Sequence, residues 1–335
     1  MSLQHYFARW LPRIDDEMRE TVGAAHDPAH IAFLGMLHYH LGWADLQFNP
    51  TENSGGKRIR PMLCLLICEA AGGDPNAAQP AAAAIELLHN FSLIHDDVED
   101  RSDLRRGRLT LWKVWGVPQA INAGDALFTI AHMAFDRLAD LDVPPDRQLA
   151  VRIRFDRTCL HLTRGQFLDL SFEARDAVSI EEYLEMIDGK TAALVSGAAA
   201  IGALLAGSDR VERYAAFGRG LGLAFQIEDD LLGIWGDPAV TGKSAASDIA
   251  TRKKSLPVLY GLEKSEELRA LYTGREIDVA RTVKALERAG AKEYTETVAS
   301  EYTQAAMAAL DAAAPQGDAG LALRELAQSL LGRRA

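Results

Sequence analysis

The sequence has little of what builds β-sheets or disulfide-stabilised folds. Sustained alternation of β-branched and aromatic residues is absent, and no Asn-Gly or Asp-Gly pair stands between two alternating runs, so we expect few strands. Only three cysteines occur, Cys64, Cys68 and Cys159. They are too few and too scattered for a disulfide framework, and an odd number fits a reducing compartment, so we expect a cytoplasmic protein. Because no further soft ligands lie nearby in sequence, Cys64 and Cys68 are expected to be buried structural thiols.

Basic surface and long apolar segments are also scarce. The chain carries 36 Lys and Arg against 47 Asp and Glu, a formal net charge of −11. Nucleic-acid binders need broad basic surfaces, so this balance argues against a nucleic-acid partner. The amphipathic N-terminal segment lacks the apolar core of a secretion signal. Residues 191–207 are uncharged, but they are short and rich in Gly and Ala, which favours an interior helix over a transmembrane segment.

The chain does have apolar residues at helical spacing almost from end to end. Hydrophobic residues make up 48% of the 335 positions, enough for a large core. Breakers separate the Ala- and Leu-rich segments at Asn49-Pro50 and at residues 72–75, 143–146, 207–209 and 236–238. The sequence therefore predicts one all-α domain over residues 1–335, built from about ten or more helices.

Two aspartate pairs, Asp96-Asp97 and Asp229-Asp230, stand within apolar, helix-forming segments. Neighbouring carboxylates among Leu, Ile and Phe cost desolvation and repel each other, so a cation is expected to neutralise them. Two such helices suit opposite walls of a shared cavity.

The first pair belongs to a stripe of polar residues on one helix face. The members of the stripe are His89, Ser92, Asp96 and Asp100. Asp96 and Asp100 are one turn apart and can present oxygens to the same ion, and hard oxygen ligands suit Mg²⁺. Two or three carboxylates make an incomplete cage, so substrate phosphates are expected to supply the remaining ligands. The alternative is a helix end whose acids are merely solvated.

The second pair follows a shortened version of the same pattern. Gln226 and Asp229 are one turn apart and Asp230 is adjacent, but the position one turn after Asp229 is Gly233. This motif therefore lacks the fifth-position carboxylate of the first. Asp237 is a candidate replacement, and a lighter metal load is the alternative.

Short basic clusters supply cations for phosphate oxygens. Residues 55–61, GGKRIRP, form a turn leading into a helix, where backbone N–H groups, Lys57 and Arg60 can together hold a diphosphate. Taken alone, this motif is equally well interpreted as a solvated basic turn. The other candidates are Arg105, Arg106, Lys190, Thr191, Lys243 and Lys253. Residues 236–247 are small, polar and rich in breakers, as expected of a mobile lid carrying Lys243 over the phosphates.

In their order along the chain, these motifs resemble the trans-type polyprenyl diphosphate synthases, which have the isoprenoid synthase type I fold. The similar blocks are GKRIRP at 56–61, ELLH at 86–89, DDVED and RRG within 96–107, GDALF at 124–128, GQFLD at 165–169, GKTAAL at 189–194, FQIEDD at 225–230, and TGK with SDIATRKKSLP within 241–257. A lone DDxxD is a weak signal, but these blocks in family order are specific.

The resemblance implies an all-α bundle around a deep central cavity, usually as a homodimer, with both aspartate helices at the mouth. It implies head-to-tail condensation of isopentenyl diphosphate onto an allylic diphosphate, with Mg²⁺, for which Mn²⁺ can substitute. By position, the implied metal ligands are Asp96, Asp100 and Asp229, supported by Asp97 and Asp230. The implied allylic diphosphate site is Arg105, Lys190, Thr191, Gln226, Lys243 and Lys253. The implied isopentenyl diphosphate site is Lys57, Arg60, His89 and Arg106.

Phe91 and Ser92 are predicted to set the product length. Phe91 lies five residues before Asp96, about 7.5 Å along a helix, where it would block a tail that has passed the small Ser92. Within the family, a large residue there without a second bulky neighbour resembles C20 synthases. The expected product is therefore geranylgeranyl diphosphate, with C15 farnesyl diphosphate as the alternative.

Two other functions compete with this interpretation. A class I terpene cyclase also ionises an allylic diphosphate, but it has no use for the implied isopentenyl diphosphate site. A catalytically silent partner subunit could lose its motifs, whereas both aspartate pairs and the basic clusters are intact here.

Overall fold

The structure is a computed structural model of the chain and describes residues 1–25, 27–51, 56–237, 246–274 and 276–331. Almost all regular structure in these residues is α-helical, which confirms the predicted all-α class. In chain order the α-helices are α1 (Leu3–Ala24), α2 (Ile31–His40), α3 (Ile59–Ala70), α4 (Gln79–Glu99), α5 (Leu111–Trp115), α6 (Val117–Met133), α7 (Pro145–Glu173), α8 (Ile180–Ile187), α9 (Ala193–Leu205), α10 (Val211–Trp235), α11 (Ser247–Ala250), α12 (Leu256–Lys264), α13 (Glu266–Thr273), α14 (Val279–Arg288), α15 (Ala291–Ala313) and α16 (Gly317–Leu331).

Shorter helical turns join some of these helices. Three segments are 3₁₀-helical, namely Pro28–His30, Pro75–Ala78 and Ala134–Leu141. Asp188–Ala192 forms a π-helical turn between α8 and α9. The predicted breakers at 72–75, 143–146, 207–209 and 236–237 fall at helix ends, whereas Asn49-Pro50 lies within the connection between α2 and α3. The Asp74 carboxylate accepts a hydrogen bond from the Asn76 N–H (2.9 Å) at one of these ends.

One small hairpin is present in the described residues, in agreement with the expectation of few strands. Strands β1 (Leu104–Arg105) and β2 (Arg108–Leu109) pair antiparallel. The two turn residues, Arg106 and Gly107, both have positive φ angles, 52° and 75°. Two-residue hairpins need this backbone, and only Gly adopts it without strain, so an Arg-Gly turn gave a weak sequence signal.

The chain divides into two compact units. Unit 1 comprises Met1–Asp156, Ala198–Val211 and Pro315–Leu323, and unit 2 comprises Arg157–Gly197, Glu212–Ala314 and Arg324–Ala335. In unit 1, helix α4 is the centre of the core: its residues 81–85, 87 and 88 are fully buried. The aromatic and aliphatic face of α1 is also buried, including Trp10, Ile14 and Met18. Burying this much apolar surface fixes the position of α4 and therefore of the polar residues at its end.

Unit 2 has two clusters of buried apolar side chains. One cluster joins Tyr183 and Met186 to Leu223 and Ile227, and so packs α8 against α10. The other packs Ile234 on α10 and Ile249 on α11 against buried apolar side chains of helices α12, α13, α14 and α15.

None of the described helices combines the length and the apolar character needed to cross a membrane. Ala198, Ala199, Ala200 and Ile201, within the uncharged segment noted above, are fully buried, as expected of an interior helix. All three cysteines are buried and not disulfide-bonded, as predicted.

Candidate active site

The end of α4 separates the aspartates of the first motif into two kinds. Asp96 is partly exposed and Asp100 is exposed. Asp97 is only 2% exposed, and its Oδ1 accepts a hydrogen bond from Nε of Arg105 at 2.8 Å. Burial raises the pKa of Asp97, and the Arg105 guanidinium opposes that rise. Asp97 is thus an anchor for Arg105, whereas Asp96 and Asp100 present carboxylates at the surface of unit 1.

A cationic pocket lies beside this helix end. Its volume is about 200 Å³. It is lined by Tyr39, His40, Gly42, Asp97, Arg105, Arg106, Arg108, Leu109, Thr110 and Leu111. Three of these residues, Arg105, Arg106 and Arg108, come from the hairpin. They lie close together because Arg105 pairs with Arg108 and Arg106 stands in the turn between them. Arg108 is held in place by the backbone oxygens of Tyr39 (3.0 Å) and Ala44 (2.6 Å).

Two imidazoles share this cationic surrounding. Burial and the charges of Arg106 and Arg105 lower the pKa of His40 to about 3. Burial and the charges of Arg60 and Arg106 lower the pKa of His89 well below its ordinary value. Both rings are therefore neutral near pH 7. Nε2 of His40 is buried and has no hydrogen-bond partner among the described residues.

The GKRIRP turn approaches the hairpin closely. Gly56 has φ 127°, and a Cβ there would lie 3.0 Å from Nη2 of Arg106. Only glycine suits both the backbone angle and the space. Lys57 is exposed, and Nε of Arg60 is buried without a hydrogen-bond partner in the described part of the chain.

The predicted isopentenyl diphosphate residues therefore gather in unit 1. Arg60 and Arg106 both lower the pKa of His89 by their charge, and Lys57 stands in the turn beside Arg106. His40 and Arg108 lie in the same group, although the sequence did not predict a role for either residue. His40 ends α2, and nothing in the local sequence distinguishes it from a surface histidine.

Arg58, between Lys57 and Arg60, was also missed. It precedes α3 in the left-handed conformation, with φ 49°, and is 3% exposed. Its Nη1 donates to Glu86 Oε1 at 2.8 Å, and its Nε donates to Asp15 Oδ1 at 3.1 Å. This arginine thus fixes the GKRIRP turn to α4 and α1.

The Phe91 ring packs against two other aromatic rings. Its ring centroid is 4.8 Å from that of His95 and 5.1 Å from that of Phe128 on α6. Ser92 donates to the His89 carbonyl at 2.9 Å, so its small side chain is turned back onto its own helix. Phe128 is a bulky neighbour of Phe91 that comes from a different helix.

In unit 2, the aspartates of the second motif also differ. Asp230 is fully buried, and it accepts hydrogen bonds from the Tyr183 hydroxyl and from the Leu256 N–H (3.1 Å). Burial raises its pKa, opposed by the charge of Lys253 and by these hydrogen bonds. Asp229 is partly exposed. Asp230 therefore ties α10 to α8 and α12, whereas the Asp229 side chain is partly exposed at the helix surface.

Of the remaining predicted residues of unit 2, Thr191 and Gln226 form a chain of hydrogen bonds to Asp230, and Lys190 forms a separate ion pair. Thr191 Oγ1 donates to Gln226 Oε1 at 2.8 Å, and Gln226 Nε2 donates to Asp230 Oδ1 at 3.3 Å. Lys190 is ion-paired with Asp169. Tyr183 and Asp169 were not assigned roles from the sequence, although Asp169 ends the GQFLD block.

Two glycines allow Lys190 to reach Asp169. A Cβ on Gly165 would lie 2.0 Å from the Lys190 backbone nitrogen, and a Cβ on Gly189 would lie 2.7 Å from the Gly165 Cα. Helix α7 and the π-helical turn therefore touch backbone to backbone. Such π-turns are frequent at functional sites.

Lys253 is half exposed and stands between two carboxylates. Its Nζ is 3.6 Å from Asp230 Oδ1 and 3.7 Å from Asp248 Oδ2. Burial lowers its pKa, but these acids together raise it above the ordinary value, so the ammonium stays charged. Lys243, with residues 238–245 of the expected lid, lies outside the described residues, and Asp237 is exposed.

Asp96 and Asp100 offer some, but not all, of the ligands that a hard divalent cation needs. Asp96 and Asp100 offer carboxylate oxygens one turn apart, the donor chemistry that Mg²⁺ prefers. Within the described ranges, no three Asp, Glu, His or Cys side chains gather into a metal cage. The two motifs lie in different units, and their expected approach across a cavity stays a prediction.

Both the sequence and the fold are similar to known proteins. The family model described as polyprenyl synthetase matches residues 45–289. A (2E,6E)-farnesyl diphosphate synthase of Mycobacterium tuberculosis is 49% identical over 227 residues, which cover 67% of this chain and only 62% of that protein. A geranylgeranyl diphosphate synthase of the same species is 44% identical over 287 residues, covering 82% of this chain and 80% of that protein. The crystal structure of a polyprenyl synthetase from Streptomyces coelicolor A3(2) is 38% identical and superimposes with a TM-score of 0.86 over 98% of each chain.

Proposed function

This chain belongs to the polyprenyl synthetase family, and we propose that it is a trans-prenyltransferase that condenses isopentenyl diphosphate with an allylic diphosphate. The observation that carries the proposal is the pocket at the end of α4, where Arg105, Arg106 and Arg108 converge beside Asp97. Guanidinium groups bind phosphate oxygens through paired hydrogen bonds, so this pocket suits a diphosphate. The farnesyl and geranylgeranyl diphosphate synthases among the relatives support a short-chain product.

We assign the isopentenyl diphosphate to the residues around His89. Arg60 and Arg106 supply fixed positive charge, and Lys57 adds an exposed ammonium. The neutral rings of His89 and His40 can exchange hydrogen bonds with the diphosphate without adding charge. Nε of Arg60 and Nε2 of His40 are buried without a hydrogen-bond partner among the described residues, and a bound diphosphate would supply one.

We assign the allylic diphosphate to Arg105, Lys190, Thr191, Gln226, Lys243 and Lys253. Asp97 orients Arg105 and Asp169 orients Lys190, so each cation has a fixed direction before substrate arrives. Asp96, Asp100 and Asp229 would hold Mg²⁺, with Mn²⁺ as a substitute. When bound, that ion supplies positive charge to the leaving diphosphate.

The proposed reaction is ionisation followed by attack. The C1–O bond of the allylic substrate breaks, and Arg105, Lys190 and Lys253 stabilise the negative charge that develops on the diphosphate. The double bond of isopentenyl diphosphate attacks the allylic cation at C1. The departing diphosphate then takes the proton that restores the double bond. Water has to be excluded while the cation exists, which is the role proposed for the segment carrying Lys243.

We propose a C20 product, geranylgeranyl diphosphate, with C15 farnesyl diphosphate as the alternative. Phe91 stands five residues before Asp96, and Phe128 supports its ring from α6. We propose that these two rings together form the floor that stops the growing chain, because two packed rings are harder to displace than one. Relatives of both product lengths occur at similar identity, 49% for C15 and 44% for C20.

We further propose a homodimer, based on helix α7. Large apolar side chains recur on one face of this helix: Leu149 (60% exposed), Ile153 (43%), Leu160 (53%) and Phe167 (69%). Their spacing of four, seven and seven residues keeps them in line. An apolar stripe of this length is costly in water, and a second copy of the same helix would cover it.

The domain organisation and the cellular compartment are also proposals. We propose one catalytic domain, because the matched residues 45–289 run through both compact units. We propose the cytoplasm, because three thiols without a disulfide suit a reducing compartment.

One assay tests the proposed reaction. The protein is incubated with MgCl₂, isopentenyl diphosphate and a C5, C10 or C15 allylic diphosphate, and products are identified by mass spectrometry. We expect elongation to C20 in each case. Turnover of the allylic substrate without isopentenyl diphosphate would instead indicate a terpene cyclase. No turnover with all three primers would contradict the proposal and favour a silent partner subunit.

A further inference from the structure

The space beside Gly233 is already occupied by a carboxylate from another segment. A Cβ built on Gly233 would lie 2.4 Å from Oδ2 and 2.9 Å from Oδ1 of Asp248. Both distances are far below van der Waals contact, so no side chain fits at position 233 while Asp248 stays in place. The glycine and the aspartate are therefore complementary.

The position of this carboxylate is significant because of the helix it touches. Residue 233 is one turn after Asp229, so its Cβ points along the same face of α10 as the Asp229 side chain. The Asp248 carboxylate thus lies at the point where a fifth-position aspartate of the second motif would begin. It reaches that point from α11, fifteen residues further along the chain.

Asp248 is fixed at this point by its surroundings. It is 7% exposed, and its backbone oxygen accepts a hydrogen bond from the Lys253 N–H at 2.9 Å. The Lys253 ammonium is 3.7 Å from Asp248 Oδ2. Asp230 Oδ1 lies at a similar distance from the ammonium, 3.6 Å, but Asp230 also accepts hydrogen bonds from Tyr183 and Leu256. Asp248 therefore holds Lys253 at two points, the backbone N–H and the side-chain ammonium.

We propose that Asp248 takes the place of the missing fifth-position aspartate of the second motif. It acts as a positioning residue that orients Lys253 and completes the acidic surface around Asp229 for a metal-bound diphosphate. This proposal rests on the proposed prenyltransferase function. We favour it over Asp237, the candidate that the sequence suggested, because Asp248 lies against position 233 on the helix face of Asp229, whereas Asp237 follows the end of α10.

Exchange of the two residues tests the proposal. Binding of inorganic pyrophosphate in the presence of MgCl₂ is measured by isothermal titration calorimetry, which needs no turnover. Removing the partner of a ligand-binding group typically weakens binding about 10–100-fold, and we expect Asp248→Ala and the isosteric Asp248→Asn to do so. Gly233→Asp alone should also bind weakly, because two carboxylates then compete for one space.

The double variant carries the decisive result. Gly233→Asp combined with Asp248→Ala returns a carboxylate to the same region from the other segment, and we expect binding within a few-fold of the original protein. Gly233→Ala combined with Asp248→Ala fills the space without charge and should stay as weak as Asp248→Ala. Far-UV circular dichroism checks that each variant is folded, and Asp248→Asn preserves the packing if Asp248→Ala does not fold.

Two results would overturn the inference while leaving the prenyltransferase proposal intact. One is unchanged pyrophosphate binding in Asp248→Asn. The other is equal recovery in both double variants, which would mean that only packing matters. If the unaltered protein does not bind pyrophosphate with MgCl₂, the proposed function fails and this inference fails with it.

Discussion

Arg58 is predicted to be essential for the stability of unit 1, although it touches no proposed substrate group. Its guanidinium is 1% exposed and forms ion pairs with Glu86, itself 4% exposed, and with Asp15, which is 34% exposed. Replacing Arg58 by Met leaves the Glu86 carboxylate buried without its ion-pair partner; the Asn90 amide donates to it at 3.3 Å, and the charges of Arg60 and Arg106 still act on it. Removing one partner of a buried ion pair typically costs about 3–5 kcal/mol, and we expect a loss of this size.

A double-mutant cycle separates the ion pair from simple packing. Asp15 can be solvated, so the cost of Arg58→Met arises mainly from Glu86. When Glu86→Leu is added, no buried carboxylate is left, and apolar replacements of buried ion pairs are often neutral. We therefore expect the double variant to recover about 3 kcal/mol of the loss. Arg58→Lys is the matched control: one ammonium cannot bond both acids, so it should recover only part.

The assay is urea unfolding followed by far-UV circular dichroism, combined with steady-state kinetics. Since Arg58 fixes the turn that bears Lys57 and Arg60, we expect Arg58→Lys to raise KM for isopentenyl diphosphate more than it lowers kcat. The reasoning would be refuted if Arg58→Met unfolded at the same urea concentration as the original protein. It would also be refuted if adding Glu86→Leu gave no recovery.

Three further predictions follow from other parts of the structure. Phe91→Ala should lengthen the main product by at least one C5 unit, and Phe128→Ala should shift it in the same direction; unchanged product masses in both variants would contradict the floor assignment. Burial and the nearby arginines lower the pKa of His40 from 6.5 to about 3, so the unfolded chain binds a proton that the folded chain does not, and stability falls as the pH falls from 6.5 towards 3. Between pH 7.5 and 5.5, the free energy of unfolding measured by urea titration should fall by about 1 kcal/mol less in His40→Gln than in the original protein. Equal decreases in the two proteins would exclude the buried neutral imidazole. Leu160→Asp combined with Phe167→Asp should produce a monomer in light scattering after gel filtration, whereas a monomer before mutation would remove the homodimer proposal.

The local pattern of the sequence determined the fold class and the main motifs. Apolar residues at helical spacing, few strand signals and breakers between segments predict an all-α chain because these preferences act within one or two helical turns. The same holds for the polar stripe along α4, whose members His89, Ser92 and Asp96 are partly exposed and Asp100 exposed, while Ile85 and Leu88 are fully buried. The order of the motifs was enough to indicate the family.

Only the tertiary structure decided which members of a motif are buried and which are exposed. Within both aspartate pairs, the second residue is buried and bonded to its surroundings, whereas Asp96 and Asp229 are presented. A local pattern cannot distinguish adjacent acids, because their burial depends on which helices pack against each side.

Contacts between distant segments were likewise invisible in the sequence. Glu86 binds Arg58 and Phe128 supports Phe91 because α4 packs against α3 and α6. Asp248 fills the space at Gly233 because α11 returns to α10. Spacing along the chain records which residues share a helix face, but three-dimensional packing alone determines which faces meet, and that is why the apparent gap in the second motif was filled from elsewhere.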